Sequence, residues 1–159
     1  MHTFPDPSEP KFVAEGEHPL WDAALATVNR DLAVTLPDQE PLRLVACPGW
    51  EDDEELLYVA LHSGESHGNF LGPETTPDGA LAVVAEAAQD TVMEMLWQVW
   101  PVCTLHGLGM HVAEDGGRAS WWCAGTSRPA DPAHTRAAVG ELDTIHRPRR
   151  PNRKRRKPR

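Results

Sequence analysis

The sequence of 159 residues predicts an α+β fold: an antiparallel sheet of two to three strands plus a C-terminal hairpin, packed on one long helix, with an N-terminal helix and disordered termini. Three observations carry this. Two segments repeat apolar residues at helical spacing, short runs rich in branched residues lie between and after them, and turn signals separate the runs. The length suits one domain with tails: an acidic, Pro-rich arm over 1–17, a single domain over 18–143, and a basic tail over 147–159.

The first helix should start at Pro19, since proline suits the first helical position. Trp21, Leu25, Val28, Leu32 and Leu36 continue its apolar stripe up to Pro37. LRLVAC, residues 42–47, reads as a strand that ends at the turn signal CPGW. A second strand runs from Leu56 to about His62, and a weaker third is expected around Asn69–Leu71. The long helix spans about Asp78 to Gln98, with Leu81, Val84, Ala85, Ala88, Val92, Met95, Leu96 and Val99 on or near one face. Glu86, Asp90 and Glu94 form an acidic stripe opposite, read as a solvated face. Pro101 forbids continuation. Two strands around EDGG follow, and then a short helix from Asp131 to about Leu142, after SRPADP. The expected order is αβββαββα.

Charge divides the chain. Residues 1–146 hold all 24 acidic residues and six basic ones, a net −18, whereas RPRRPNRKRRKPR at 147–159 holds nine cations and no acid. Prolines at 148, 151 and 158 and the absence of apolar residues predict a disordered segment. Its cations, Arg147, Arg149, Arg150, Arg153, Lys154, Arg155, Arg156, Lys157 and Arg159, suit phosphates. With no aromatic to stack on bases, contact with nucleic acid or another polyanion should be non-specific. The acidic body suits a basic protein partner and should also attract its own tail at low salt.

No apolar run approaches the ~18 residues of a membrane span, and the N-terminus lacks the basic and apolar regions of a secretory signal. A cytoplasmic protein is therefore expected, and the preference for Arg over Lys with abundant Ala suggests a bacterial source. Three cysteines without an export signal argue for thiols or metal ligation rather than disulfides.

One stretch, WPVCTLHGLGMHVAEDGGRASWWC at 100–123, concentrates the soft ligands. Cys103 and His106 are spaced C-x-x-H, the interval at which a tight turn aims two side chains at one ion. Cys123 returns at the far end of the hairpin, and His111 is the expected fourth ligand. Parity decides its face. A three-residue loop Asp115–Gly116–Gly117 places Glu114 opposite Arg118 and puts His111 on the Cys123 face, while a two-residue loop sends it to the other. The three-residue loop is the expectation. The stretch resembles half of a zinc ribbon, with the second knuckle reduced to Cys123. Structural zinc held by Cys103, His106, His111 and Cys123 is thus the expected cofactor, with Cys47 a substitute if His111 faces away.

The remaining candidates read as ordinary structure. His62 and His67 flank Ser63 and Ser66 without a G-x-S-x-G elbow, so catalysis is not expected there. EDDEE at 51–55 lacks the spacing of a calcium loop. Adjacent Trp121 and Trp122 must point to opposite faces of a strand. The sequence therefore suggests a non-enzymatic, zinc-stabilised binding or accessory module. An acidic inhibitor of a basic protein is the alternative, and a metal-dependent hydrolase ranks last because no catalytic spacing is present.

Overall fold

The computed structural model describes residues 10–51, 54–126, 128 and 132–146. Along these residues run β1 (Lys11–Phe12), α1 (Pro19–Thr35), β2 (Arg43–Pro48), β3 (Glu55–Ala60), α2 (Pro77–Leu96), β4 (His111–Asp115), β5 (Arg118–Cys123), β6 (His134–Ala138) and a short 3-10 helix, η1 (Leu142–Thr144). The strands form two antiparallel three-stranded sheets, β1-β2-β3 and β4-β5-β6, so the fold is α+β.

Both helices begin at proline, as the fixed φ of that residue favours. Thr76 caps α2 by accepting the Gly79 N–H at 3.1 Å. Asp22, in the first turn of α1, accepts the Gly16 N–H at 2.8 Å. The buried face of α2 is mostly small, with Ala80, Val84, Ala85, Ala87, Ala88 and Val92, which lets α1 and α2 pack closely. Trp97 ends α2 in the left-handed region at φ 53°, before Pro101 is reached.

Three polar locks fix the helices to the strands. Asn29 on α1 pairs twice with Leu42, accepting its N–H at 2.8 Å and donating to its carbonyl at 3.1 Å. Thr91, buried on α2, has its hydroxyl 2.8 Å from the Val59 carbonyl and accepts the His67 N–H at 3.1 Å. Asp31, fully buried on α1, accepts from Trp121 Nε1 at 2.8 Å, Gly140 N–H at 2.6 Å and Leu142 N–H at 2.9 Å. Burial pushes the Asp31 carboxyl above its ordinary value, while the three donors pull the other way. Trp121 in turn meets Trp100 edge-on, with ring centroids 5.5 Å apart, and Trp100 Nε1 donates to Thr35 Oγ1 at 2.7 Å. A contiguous core results, running from Leu25, Val28 and Leu32 through Leu44, Val59 and Val84 to Trp121, Cys103 and Cys123.

Three expectations fail in instructive ways. Lys11–Phe12, expected in a loose arm, pairs with β2, and the Phe12 ring takes the Arg43 guanidinium at 3.6 Å. No strand forms at 69–71, where Leu71 N–H reaches the Leu57 carbonyl at 2.8 Å without a ladder following. The largest difference lies near the C-terminus. The residues expected to form a helix up to Leu142 form β6 instead, and Gly140 at φ 95° turns the chain into η1. The spacing of Val139 and Leu142 mimics a helical period, but the open edge of β5 offers His134–Ala138 a ladder.

Candidate metal centre

The β4–β5 register decides the ligand question. His111 pairs with Trp122 and Asp115 with Arg118, so the loop is Gly116–Gly117 alone. Both glycines have positive φ, 60° and 81°, as a type I′ turn requires. The expected three-residue loop is not formed, because two consecutive glycines satisfy the tighter turn, whose twist matches the strands. His111 consequently lies exposed beside the Trp122 ring, with centroids 6.1 Å apart, on the face away from buried Trp121. The structure brings Cys103, His106 and Cys123 together and leaves His111 outside. Cys47, the alternative, lies on β2 opposite Leu56 and is also outside the group.

His134 takes the fourth position. It starts β6 directly across from Cys123. A bulge sets this alignment: Trp121 pairs with Ala137 but Trp122 with Thr135, so Arg136 is the extra residue. An unbroken ladder would carry Thr135 to Cys123. One inserted residue re-aims the strand and delivers the histidine.

The knuckle is built by backbone bonds. Val102 bridges Gly109, Cys103 N–H donates to the Leu108 carbonyl at 2.7 Å, and Gly107 N–H donates to the Cys103 carbonyl at 2.8 Å. Gly107, at φ 69°, supplies the conformation that closes so short a loop. Arg136 ties the knuckle to β6 by donating to Thr104 Oγ1 at 2.9 Å.

Ligand atoms of Cys103, His106, Cys123 and His134 all lie within 4.8 Å of one another. His106 Nδ1 is 3.6 Å from Cys103 Sγ and 3.4 Å from Cys123 Sγ, and His134 Nε2 is 4.0 Å from Cys103 Sγ. Bond lengths of ~2.3 Å to sulfur and ~2.0 Å to nitrogen give tetrahedral edges of about 3.3–3.8 Å, close to the separations of 3.4, 3.6 and 4.0 Å, so the four residues lie near enough to hold one ion. Both sulfurs are fully buried.

Protonation follows from the partners. His134 Nδ1 sits 3.1 Å from the Pro132 carbonyl, which can only accept, so the proton is on Nδ1 and the Nε2 lone pair faces the sulfurs. Burial opposes ionisation of Cys103. Backbone N–H groups of Leu105 and His106, with the His106 ring and the Cys123 thiol, outweigh it and draw Cys103 down to about 7. Burial and the neighbouring Cys103 push Cys123 up, against the Gly125 N–H at 3.4 Å and the charge of Arg136. Two buried thiols that cannot both ionise alone can do so around a dication, which leaves the site neutral.

The other candidates stay apart from the group. His62 pairs with Glu40 at 3.0 Å on the surface, and His67 is engaged through its backbone with Thr91. In the acidic run, Glu51 N–H donates to Glu54 Oε2 at 3.2 Å. The basic segment, Arg147 to Arg159, lies outside the described residues. Among the described residues no helix is long and apolar enough to cross a membrane. No family model, curated protein or solved structure matches the chain.

Proposed function

We propose that this chain is a non-catalytic binding or accessory module. In this reading one structural zinc ion, held by Cys103, His106, Cys123 and His134, staples the body, and the segment 147–159 contacts nucleic acid or another polyanion. The observation that carries the reading is the ligand set: two cysteines and two histidines from three separate elements converge within 4.8 Å. Two thiolates and two imidazoles complete a tetrahedron, so no coordination position remains for a substrate. No Asp or Glu belongs to the group among the described residues, so none of the four ligand positions is a carboxylate. Zinc is favoured because mixed thiolate and imidazole ligands at tetrahedral spacing suit it best.

The polyanion half rests on sequence. Nine cations in thirteen residues engaged on duplex DNA give a salt slope of about −8. Chelation with circular dichroism tests the first half: a structural ion predicts loss of tertiary signal with metal removal, whereas a catalytic ion predicts retained fold. Duplex retardation by the full chain and by a chain ending at His146 tests the second. Equal retardation by both would sink the polyanion role.

A further inference from the structure

We infer that the end of α2 and the metal knuckle form one docking surface for a basic, apolar-bearing segment of a partner protein. This deepens the binding-module reading and rests on it only in that the knuckle carries two of the side chains involved. Four large apolar side chains crowd into residues 97–108 and remain in water: Trp97 is 90% exposed, Leu105 67%, Val99 51% and Leu108 40%. Scattered exposed apolar residues are ordinary, but four within one helix end and the loop that folds against it make a patch. Val99 Cγ1 lies only 2.6 Å from where a Cβ on Gly109 would stand, so Val99 and the knuckle are in contact. The knuckle bonds hold Leu105 and Leu108 on a short closed loop, a pre-organised presentation that lowers the ordering cost of binding.

Charge specifies the occupant. Glu86, Asp90 and Glu94 are exposed at four-residue intervals on α2, and Met93, also exposed, lies three residues beyond Asp90. The last turn of α2 has no basic residue, so the negative end of the helix dipole stands uncompensated beside Glu94. A cationic segment is therefore favoured. The chain's own 147–159 segment meets only the charge half, since RPRRPNRKRRKPR has no large apolar side chain to cover Trp97 and Leu105. A Lys- or Arg-rich partner segment with apolar anchors meets both.

The test uses the full-length protein and a fluorescein-labelled peptide of alternating-face leucine and lysine, against a control with every leucine replaced by serine. Anisotropy should show the leucine peptide binding at least about tenfold tighter than the serine one. The double variant Trp97→Ser with Leu105→Ser should lose that preference, and Asp90→Asn with Glu94→Gln should weaken both peptides several-fold at low salt. Equal binding of the two peptides, or a preference untouched by the Trp97 and Leu105 changes, overturns the inference. So does a preference-free interaction that strengthens when 147–159 is deleted, which would assign the surface to the chain's own segment. Zinc is measured on every sample. A protein that binds the leucine peptide selectively without zinc would keep this surface and overturn the metal reading instead.

Discussion

Cys123 and His134 stand directly opposite one another across β5 and β6, placed there by the single extra residue, Arg136, in the ladder between them. That alignment joins the C-terminal strand to the knuckle after α2. It makes the bulge a positional device, because each side chain on β6 before it is displaced by one residue. Inserting a further residue after Arg136 should therefore carry His134 off the cluster, whereas deleting Arg136 closes the bulge and keeps His134 opposite Cys123. The insertion variant is expected to lose metal under conditions where the Arg136 deletion and Arg136→Ala both retain it, as atomic absorption would show.

Protons and metal compete for the two thiols. Cys103 is drawn down to about 7 while Cys123 is raised, so above pH 7 binding should release about one thiol proton, and below it nearer two. The slope of log affinity against pH should steepen as pH falls through about 7, measured by competition with a chromophoric chelator. In the metal-free protein the sign is the same for Cys103. Its folded value lies below 9.0, so the stability it contributes is full above 9.0 and is lost as pH falls to about 7. An affinity independent of pH across this window would exclude thiol ligation.

Asp31 is the lock between α1 and the C-terminal corner. Asp31→Ala leaves three buried donors unpaired and should destabilise by roughly 3–5 kcal/mol in urea denaturation. Asp31→Asn should cost less, because one oxygen can still accept from Trp121 and Gly140. With the folded carboxyl raised above 3.8, the contribution of the aspartate is full below 3.8 and declines as pH rises through the raised value. The penalty of the asparagine should narrow over that rise.

The turn at Gly116–Gly117 can be tested without touching the cluster. A Cβ at either glycine meets nothing within 4 Å, so any cost of substitution is conformational. Gly117→Ala should cost about 1 kcal/mol for holding an L-residue at φ 81°. Gly116→Asn should be nearly neutral, since Asn-Gly is a favoured type I′ pair. Equal costs for the two would show that the loop is not this turn.

Much of this was legible in the chain. Pro19 and the stripe Leu25, Val28, Leu32 mark α1, and the stripe Leu81, Val84, Ala85, Ala88, Val92 marks α2, because helical period is a local property. Cys103, His106 and Cys123 were also legible, since a C-x-x-H turn and a returning strand both follow from short-range geometry. His111 was misplaced by one residue of loop length: the sum of opposed residue numbers is odd, and a period of two inverts every side chain. His134 was hidden by a different failure. HTRAAV has no strong local preference, and it becomes a strand only because the edge of β5 is there to pair with. A long-range partner decided it, and the useful signal was the breaker Pro132 just before a histidine.

Everything proposed for the knuckle depends on one zinc ion held by Cys103, His106, Cys123 and His134. The most direct measurement is zinc content, by inductively coupled plasma mass spectrometry, of the full chain and of His134→Ala and His111→Ala purified without chelators. About one equivalent is expected in the wild type and in His111→Ala, and a large loss in His134→Ala. Less than half an equivalent in the wild type, or loss on replacing His111 with retention on replacing His134, would contradict it.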